Sequence, residues 1–200
     1  EICDRNGIIL IFDEVITAFG RVGAPTASEA WGVTPDIITM AKGLTNAAVP
    51  MGAVAVKREF HDAVLDSVAG GIELFHGYTY SGHPLAVAAA HATLDLFESE
   101  NVPAKFAAVG DMLGQAVHGL RGEPNVIDIR NCSAAAAVEL APIAGKPGLR
   151  AVRIFEEALK RGLLLRFTGD IIALAPPAIS TGDEIERLIE GLRESIRAAA

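Results

Sequence analysis

The sequence has 200 residues, half of them hydrophobic, which is enough for one large or two small domains with a real core. Its formal charge is −8, without any basic run, which argues against nucleic acid and anionic membranes as partners. Its apolar stretches are interrupted before they reach the length of a membrane span, and no signal peptide opens the chain. Cys3 and Cys132 offer neither a disulfide framework nor metal-ligand spacing, so a reduced, cytoplasmic setting is expected.

Two short apolar runs dominate the first part of the chain. Ile8–Phe12 ends at Asp13, and Ile37–Met40 is followed by Ala41 and Lys42. Uninterrupted Ile-rich runs without alternation are typical of parallel strands that are buried on both faces. In open α/β sheets, ligands bind outside the carboxyl ends of such strands. We therefore expect adjacent strands to bring Asp13 and Lys42 to the same crevice.

A carboxylate and an amine in one crevice have a specific use in enzymes that depend on pyridoxal phosphate (PLP). These enzymes need a lysine that holds the cofactor's aldehyde as a Schiff base, and an acid that keeps the pyridine nitrogen protonated. The alternative is an N-capping aspartate and a surface lysine, since charged side chains are mostly exposed. The two residues alone leave both interpretations open.

The middle of the chain holds a second informative stretch. Gly52–Lys57 alternates enough to predict another strand, the antiparallel member of a mixed sheet. Further on, Tyr78–Gly82 is rich in hydroxyl groups and precedes a helix that begins near Pro84. Such a turn suits a phosphate, although Ser and Thr are also favoured there as plain helix caps.

Residues 122–124, Gly-Glu-Pro, mark a predicted domain boundary that divides the chain into residues 1–121 and 122–200. Beyond it, strand pairs followed by helices predict an α+β lobe with antiparallel pairing. The final helix, Asp183–Arg197, is specified by a capping box of Thr181 with Glu184 and by an apolar face.

Arg166 stands out in this lobe because it follows three leucines in a predicted strand. Burying an unpaired charge costs free energy, so an arginine in an apolar strand must be either solvent-exposed or paired. An edge-strand position or an ion pair with Asp170 would supply one.

Several sequence motifs of the chain also resemble those of a known family. FDEVITAFGR, PDIITMAKGLTN and PMGAV, with HGYTYSGHPLA later, closely resemble the class III (subgroup II) aminotransferases of the fold-type I PLP superfamily. GLLLRFTGDIIALAPP narrows the resemblance to the ω-amino acid:pyruvate (β-alanine:pyruvate) branch. Family members are more than twice as long and no initiating Met opens this chain, so we expect a fragment that matches their C-terminal part.

The resemblance implies a fold and a set of roles. The fold would be α/β, with part of a large mixed-sheet domain followed by an α+β C-terminal lobe. Lys42 would carry PLP and move protons, Asp13 would bind the ring nitrogen, and Val15 would pack on the ring. Thr79, with the Tyr78 backbone beside it, would reach the phosphate of the partner subunit's cofactor, which implies a homodimer or a dimer of dimers.

The resemblance extends to the substrates and to the loops around the site. Arg166 would clamp the carboxylate of a small-molecule amino donor or keto acid acceptor, and no metal is implied. Gly43 is expected to let the backbone pass close to the cofactor. Glu14 is expected to serve the loop structurally, and the family often has Gly at the position of Ala47.

Three alternatives remain open from the sequence. One is another class III branch, such as a 4-aminobutyrate or diamine transaminase or an aminomutase, which keeps the lysine and aspartate but differs at the carboxylate-binding residues. A second is a catalytically inert fragment without the N-terminal part of the site. A third is a noncatalytic cofactor-binding module, which the presence of both Asp13 and Lys42 disfavours.

Overall fold

The strands of the chain form two sheets in residues 1–67 and 79–200, which the computed structural model describes. The sheets belong to two packing units. The first unit comprises Glu1–Phe19 and Ala24–Asn101, and the second comprises Gly20–Gly23 and Val102–Ala200.

The first unit carries a three-stranded mixed sheet. Its elements in chain order are α1 (Ile2–Asn6), β1 (Ile11–Asp13), α2 (Ala27–Trp31), β2 (Ile37–Met40), a 3-10 turn (Lys42–Thr45), β3 (Ala53–Val56), α3 (Arg58–Asp66) and α4 (Pro84–Ser99). The strand order is β1-β2-β3, with β1 parallel to β2 and β3 antiparallel to β2. The prediction of a mixed sheet with an antiparallel third strand is therefore confirmed.

Capping residues define the ends of the two small helices beside this sheet. Gly7 adopts the left-handed conformation (φ 61°) and ends α1. The Thr26 side chain accepts a hydrogen bond from the Glu29 N–H and so caps the start of α2, which ends at Gly32 in the same left-handed conformation. These caps fix where the chain turns into and out of β1 and β2.

The burial predicted for the first apolar run is not observed. Ile8, Ile9 and Ile11 are 55%, 50% and 56% exposed. The physical reason is position in the sheet, because β1 is an edge strand of the described sheet. An apolar run indicates that a strand can be covered, but it does not say which part of a chain covers it.

The second unit combines an antiparallel sheet with three helices, and the antiparallel pairing of its strands is the one that the sequence predicted. Its elements are α5 (Val102–Val117), a 3-10 turn (His118–Leu120), β4 (Val126–Cys132), β5 (Ala135–Leu140), α6 (Leu149–Lys160), β6 (Arg166–Thr168), β7 (Ile171–Leu174) and α7 (Gly182–Ala198). The strand order is β4-β5-β7-β6, and every neighbouring pair is antiparallel.

One face of this sheet packs against the helices to form the core of the second unit. Alternate residues of β5 are buried, as expected for an antiparallel sheet that is covered on one side. The fully buried side chains come from sheet and helices alike: Leu113, Val117, Leu120, Val138, Leu140, Ile154, Ile172, Ile185, Leu192 and Ile196. The predicted apolar face of α7 lies in this core.

Helix α5 lies unusually close to the β4–β5 hairpin. A Cβ atom on Gly110 would lie 2.6 Å from backbone and side-chain atoms of Ser133, and one on Gly114 would lie 3.0 Å from the Asn131 amide. These two glycines therefore let the helix approach the hairpin closely. The predicted domain boundary at residue 122 stays a prediction. The packing units divide the chain before α5 instead, so that α5 belongs to the same unit as the C-terminal strands.

A charged cluster fastens the end of α7 to the connection after α5. The Glu123 carboxylate accepts hydrogen bonds from Arg193 Nη1 at 2.6 Å, Arg197 Nε at 2.7 Å and Arg197 Nη2 at 2.8 Å. The Glu123 side chain is largely buried, at 8% exposure. Hydrogen bonds from Arg197 and then Arg193 hold the pKa of Glu123 below its ordinary value of 4.5.

This lowered pKa gives a pH-dependent prediction for Glu123→Gln. A carboxyl whose folded-state pKa is depressed stabilises the fold fully above its unfolded pKa, and the contribution is lost as the pH falls through the folded value. The substitution should therefore lower the free energy of unfolding near pH 7, and the difference from wild type should shrink below pH 4.5. Urea denaturation at both pH values measures it. Glu186→Gln, an exposed position on α7, is the control, and an equal deficit at both pH values would contradict the prediction.

In the described residues, no helix has the length and apolar character that crossing a membrane requires.

Candidate active site

The parallel pairing of β1 and β2 places Asp13 and Lys42 at one edge of the sheet. Asp13 is the last residue of β1 and lies in register with Thr39 of β2. Lys42 follows β2 after a single intervening residue, Ala41, and begins the 3-10 turn. As predicted, the carboxylate and the amine are delivered by the carboxyl ends of neighbouring parallel strands.

The Asp13 carboxylate is held on one oxygen and open on the other. Its Oδ1 atom accepts hydrogen bonds from the Val15 N–H at 3.2 Å and from the Thr39 hydroxyl at 3.3 Å. Within the described residues, Oδ2 has no hydrogen-bond partner. The arrangement orients the group and leaves one oxygen free for a ligand that carries a proton. Val15, the residue predicted to contact the same ligand, is fixed to Asp13 by this turn.

Thr39 is a site residue that the sequence reasoning missed. The apolar run that predicts a buried strand includes Thr39, although it is a polar residue in the run Ile-Ile-Thr-Met. In the parallel register its hydroxyl reaches the Asp13 carboxylate. The signal in the sequence is a hydroxyl inside an otherwise apolar strand, one residue before its end.

Glu14 is a buried carboxylate that anchors the loop after Asp13. It is only 1% exposed. Its Oε2 accepts from the Ala27 N–H at 2.7 Å and the Thr17 hydroxyl at 3.0 Å, and its Oε1 accepts from the Ser28 N–H at 2.9 Å. Backbone N–H groups at a helix start favour an acceptor of this kind. The structural role expected for Glu14 is therefore what its contacts show.

Lys42 has a backbone conformation that few side chains adopt. Its φ is 46°, in the left-handed region that costs energy for any residue with a Cβ atom. Its side chain is exposed, and the amine makes no hydrogen bond or ion pair with the described residues. The turn itself is anchored by buried Leu44 and by Thr45, whose hydroxyl donates to the Val49 carbonyl at 2.6 Å.

The loop beyond this turn explains the glycine that the family often has at position 47. Ala47 has a φ of 60°, which glycine adopts without a steric penalty. The preceding residue, Asn46, is also left-handed at 48°, a conformation that asparagine tolerates well. The departure at Ala47 therefore keeps the backbone path and adds local strain.

Thr79 lines an open cleft of about 820 Å³ in the first unit. Residues 49–52, before β3, form one side of this cleft, and residues 79–83 with Ala86 form the other. Helix α4 begins here, with Pro84 at its first position. Its N-terminal N–H groups and the nearby hydroxyls suit a phosphate. Tyr78, the other residue predicted here, lies outside the described residues.

Arg166 lies in the second unit, on the edge strand β6. Its side chain is exposed, and it forms no ion pair with the described residues. The suggested pair with Asp170 is wrong, because the Asp170 carboxylate accepts the Gly148 N–H at 2.7 Å instead. The edge-strand explanation holds, and no group in the described part of the chain occupies the donors of the guanidinium.

Comparison with known proteins shows which family the chain belongs to. The family model described as "Aminotransferase class-III" matches residues 1–196. The chain belongs to the class-III aminotransferase family. An omega-aminotransferase of Caulobacter vibrioides is 53% identical over 192 residues, which cover 96% of this chain and 44% of that protein. A beta-alanine–pyruvate aminotransferase of Pseudomonas aeruginosa is 43% identical over 205 residues, 100% of this chain and 45% of that protein.

Solved structures of other aminotransferases confirm the fold. An amine transaminase from an uncultivated Pseudomonas species, solved in a PLP-bound form, matches with a TM-score of 0.89 at 37% identity, over 100% of this chain and 46% of that one. An (S)-enantioselective omega-transaminase from Thermomicrobium roseum matches with a TM-score of 0.90 at 35% identity, over 99% and 45%. This class-III chain thus spans less than half the length of the relatives it matches.

The buried Glu14 carboxylate generates a stability prediction for this class-III chain. Glu14→Gln places an amide NH₂ group among three hydrogen-bond donors, so at least one buried donor loses its acceptor. We expect the free energy of unfolding to fall by about 1–3 kcal/mol in urea denaturation. Glu29→Gln, at an exposed position of α2, is the control and should change it by about 0.5 kcal/mol or less. Equal effects of the two substitutions would contradict the anchoring role of Glu14.

Proposed function

We propose that this chain belongs to a PLP-dependent transaminase that moves an amino group from an ω-amino acid or amine, such as β-alanine, to pyruvate. The observation that carries the proposal is the parallel register of β1 and β2, which brings Asp13 and Lys42 to one edge of the sheet. The open Oδ2 atom of Asp13 and the unpaired amine of Lys42 fit a cofactor that has a basic ring nitrogen and an aldehyde.

The names of the relatives support the choice of substrates. The relatives called omega-aminotransferase, beta-alanine–pyruvate aminotransferase and omega-amino acid–pyruvate aminotransferase are 53%, 43% and 41% identical to this chain. An adenosylmethionine-8-amino-7-oxononanoate aminotransferase and a gamma-aminobutyrate transaminase follow at 38% and 36%. A transaminase with another donor is therefore the second candidate, and comparing turnover of β-alanine with that of 4-aminobutyrate would distinguish them.

Five residues would hold the cofactor in this proposal. Asp13, Val15 and Lys42 would bind the ring and the aldehyde, and Tyr78 and Thr79 the phosphate. When bound, PLP supplies an electron sink for the pair released when a substrate C–H bond breaks. The protein's part is to orient the reacting groups and to place protons.

Lys42 would first hold the aldehyde and later act as a base. An amine is a competent proton acceptor only when it is neutral and free of an acidic partner. No carboxylate of the described residues forms an ion pair with Lys42 Nζ, so no acidic neighbour in that part of the chain competes with the cofactor for the amine. Its place at the first position of a fixed turn limits the volume that Nζ can reach.

Asp13 would keep a proton on the ring nitrogen through its open Oδ2 atom. A charged hydrogen bond of this kind is stronger than a neutral one and depends on a fixed acceptor. The Val15 N–H and the Thr39 hydroxyl supply that fixation on Oδ1. The carboxylate would therefore be oriented in advance to accept a hydrogen bond from the protonated ring nitrogen.

Thr79 and Arg166 carry the remaining roles of the proposal. Thr79, which lines the 820 Å³ cleft, would use its hydroxyl to bind the phosphate of the cofactor held by a second copy of the chain, so the active protein would be a homodimer or a dimer of dimers. Arg166 would bind the substrate carboxylate with the planar guanidinium that matches it. Its exposed position and lack of an internal partner leave it available.

The cofactor role of Lys42 is tested by chemical labelling of the full-length protein. Borohydride reduction followed by peptide mapping should place the pyridoxyl group on Lys42. Lys42→Ala should lower turnover by about a thousandfold or more, because the covalent attachment and the base are both lost. Lys146→Ala, at an exposed lysine of the second unit, is the control. A label on another lysine would contradict the assignment.

The substrate role of Arg166 is tested by comparing donors with and without a carboxylate. Removing one partner of a desolvated charged pair costs about 2–5 kcal/mol, so Arg166→Ala should raise the KM for pyruvate and β-alanine roughly 30-fold or more. The half-reaction with 1-phenylethylamine, followed in single turnover by the cofactor's colour, should persist because this amine has no carboxylate.

Arg153→Ala provides the matched control, since Arg153 is another exposed arginine of the second unit. It should leave both donors unaffected. An equal loss for the carboxylated and the uncharged donor in Arg166→Ala would show that Arg166 acts through the structure of its strand and not on the substrate.

A further inference from the structure

Phe19 combines a bulky side chain with a backbone conformation that such residues rarely adopt. Its φ is 62°, in the left-handed region. Its N–H donates to the Pro25 carbonyl at 2.8 Å, which closes the loop that begins after Asp13. A conformation of this kind persists only where the surroundings fix it, and it often marks a functional constraint.

The side chain of Phe19 occupies the space that a side chain on Gly43 would need. A Cβ atom on Gly43 would lie 2.7 Å from Phe19 Cβ and 3.1 Å from its Cδ2. Gly43 does not have a positive φ, so its backbone does not require glycine. The requirement for glycine is therefore steric. From the sequence, the cofactor was expected to be the close neighbour of Gly43, whereas the neighbour that the structure shows is Phe19.

The other side of the Phe19 ring packs on helix α4. Phe19 and Phe97 are in edge-to-face contact, with ring centroids 6.5 Å apart and an angle of 82° between the planes. Helix α4 also packs on the 3-10 turn Lys42–Thr45. The ring thus fills the space between the residue that follows Lys42 and the helix that supports the Lys42 turn.

We propose that Phe19 is a positioning residue for Lys42, acting as a wedge that fixes the left-handed turn from which the amine projects. The inference rests on the proposed function, in which Lys42 binds the cofactor. Lys42 lies in a disfavoured conformation at φ 46° and must be held there by its neighbours. Phe19 contacts the next residue along the chain, so its removal lets the turn relax and the amine move.

Phe19→Ala and Phe19→Leu test this in the full-length protein. Phe19→Ala should weaken the affinity of the cofactor-free protein for PLP by about tenfold or more, and it should shift the pH midpoint of the bound cofactor's absorbance change. Phe19→Leu retains apolar bulk and should recover much of both. The control is Phe155→Ala, which breaks the aromatic contact of Phe155 with Phe167 (5.4 Å) in the second unit. This control should change the PLP affinity by no more than about threefold and should leave the pH midpoint of the absorbance change unshifted.

A double-mutant cycle tests the wedge without the cofactor. Gly43→Ala should lower the thermal stability of the cofactor-free protein when Phe19 is present. In the Phe19→Gly background the same substitution should cost little, because the Cβ atom that blocks it is gone. A Gly43→Ala effect that is equal in both backgrounds would overturn the wedge.

The outcomes separate this inference from the proposed function. If borohydride places no label on Lys42 of the wild type, the proposed function fails and the inference fails with it. If Lys42 is labelled but Phe19→Ala leaves the PLP affinity and the pH midpoint unchanged, only the inference is overturned. An equal response to Phe155→Ala would also overturn it, because the effect would then be general loss of packing.

Discussion

The candidate site depends on the parallel pairing of β1 with β2. Because parallel strands end at the same edge of a sheet, the pairing brings Asp13 and Lys42 to one place although they are far apart in the chain. The ladder continues past the strand end, where the Glu14 N–H donates to the Thr39 carbonyl at 2.9 Å. This last bond holds Asp13 beside Thr39, and a slip of one residue between the strands would turn Asp13 to the face opposite the Thr39 side chain.

Two packed features, one polar and one apolar, convert this strand edge into a fixed geometry. The Glu14 carboxylate holds the start of α2 through two backbone N–H groups, so the loop after Asp13 is anchored at both ends. Phe19 then packs on Gly43 and on Phe97, which joins that loop to the turn of Lys42. The polar anchor and the apolar wedge have the same consequence, since each restricts a segment that carries a proposed cofactor ligand.

The second unit is stabilised in a different way, by a hydrophobic core between its sheet and its helices. Its antiparallel sheet buries one face under three helices, and Glu123 fastens the last helix through Arg193 and Arg197. Arg166 lies outside that core on an edge strand. The proposed substrate contact thus draws on a residue that the fold does not need, and its substitution can alter substrate binding without unfolding the unit.

Local signals in the sequence determined the elements, the helix caps, the mixed sheet and the antiparallel lobe, because periodicity, glycine and capping residues act over a few positions. The motifs shared with the family pointed to Asp13 and Lys42 as candidate site residues. Their location at one edge of the sheet was expected because parallel strands end at the same edge. Contacts between distant residues were decided only by the tertiary structure. Thr39 on Asp13, Glu14 on α2, Phe19 against Gly43 and Gly148 in place of Arg166 as the partner of Asp170 all depend on register and packing. No local pattern encodes them, since each pairs groups that meet only after the chain has folded.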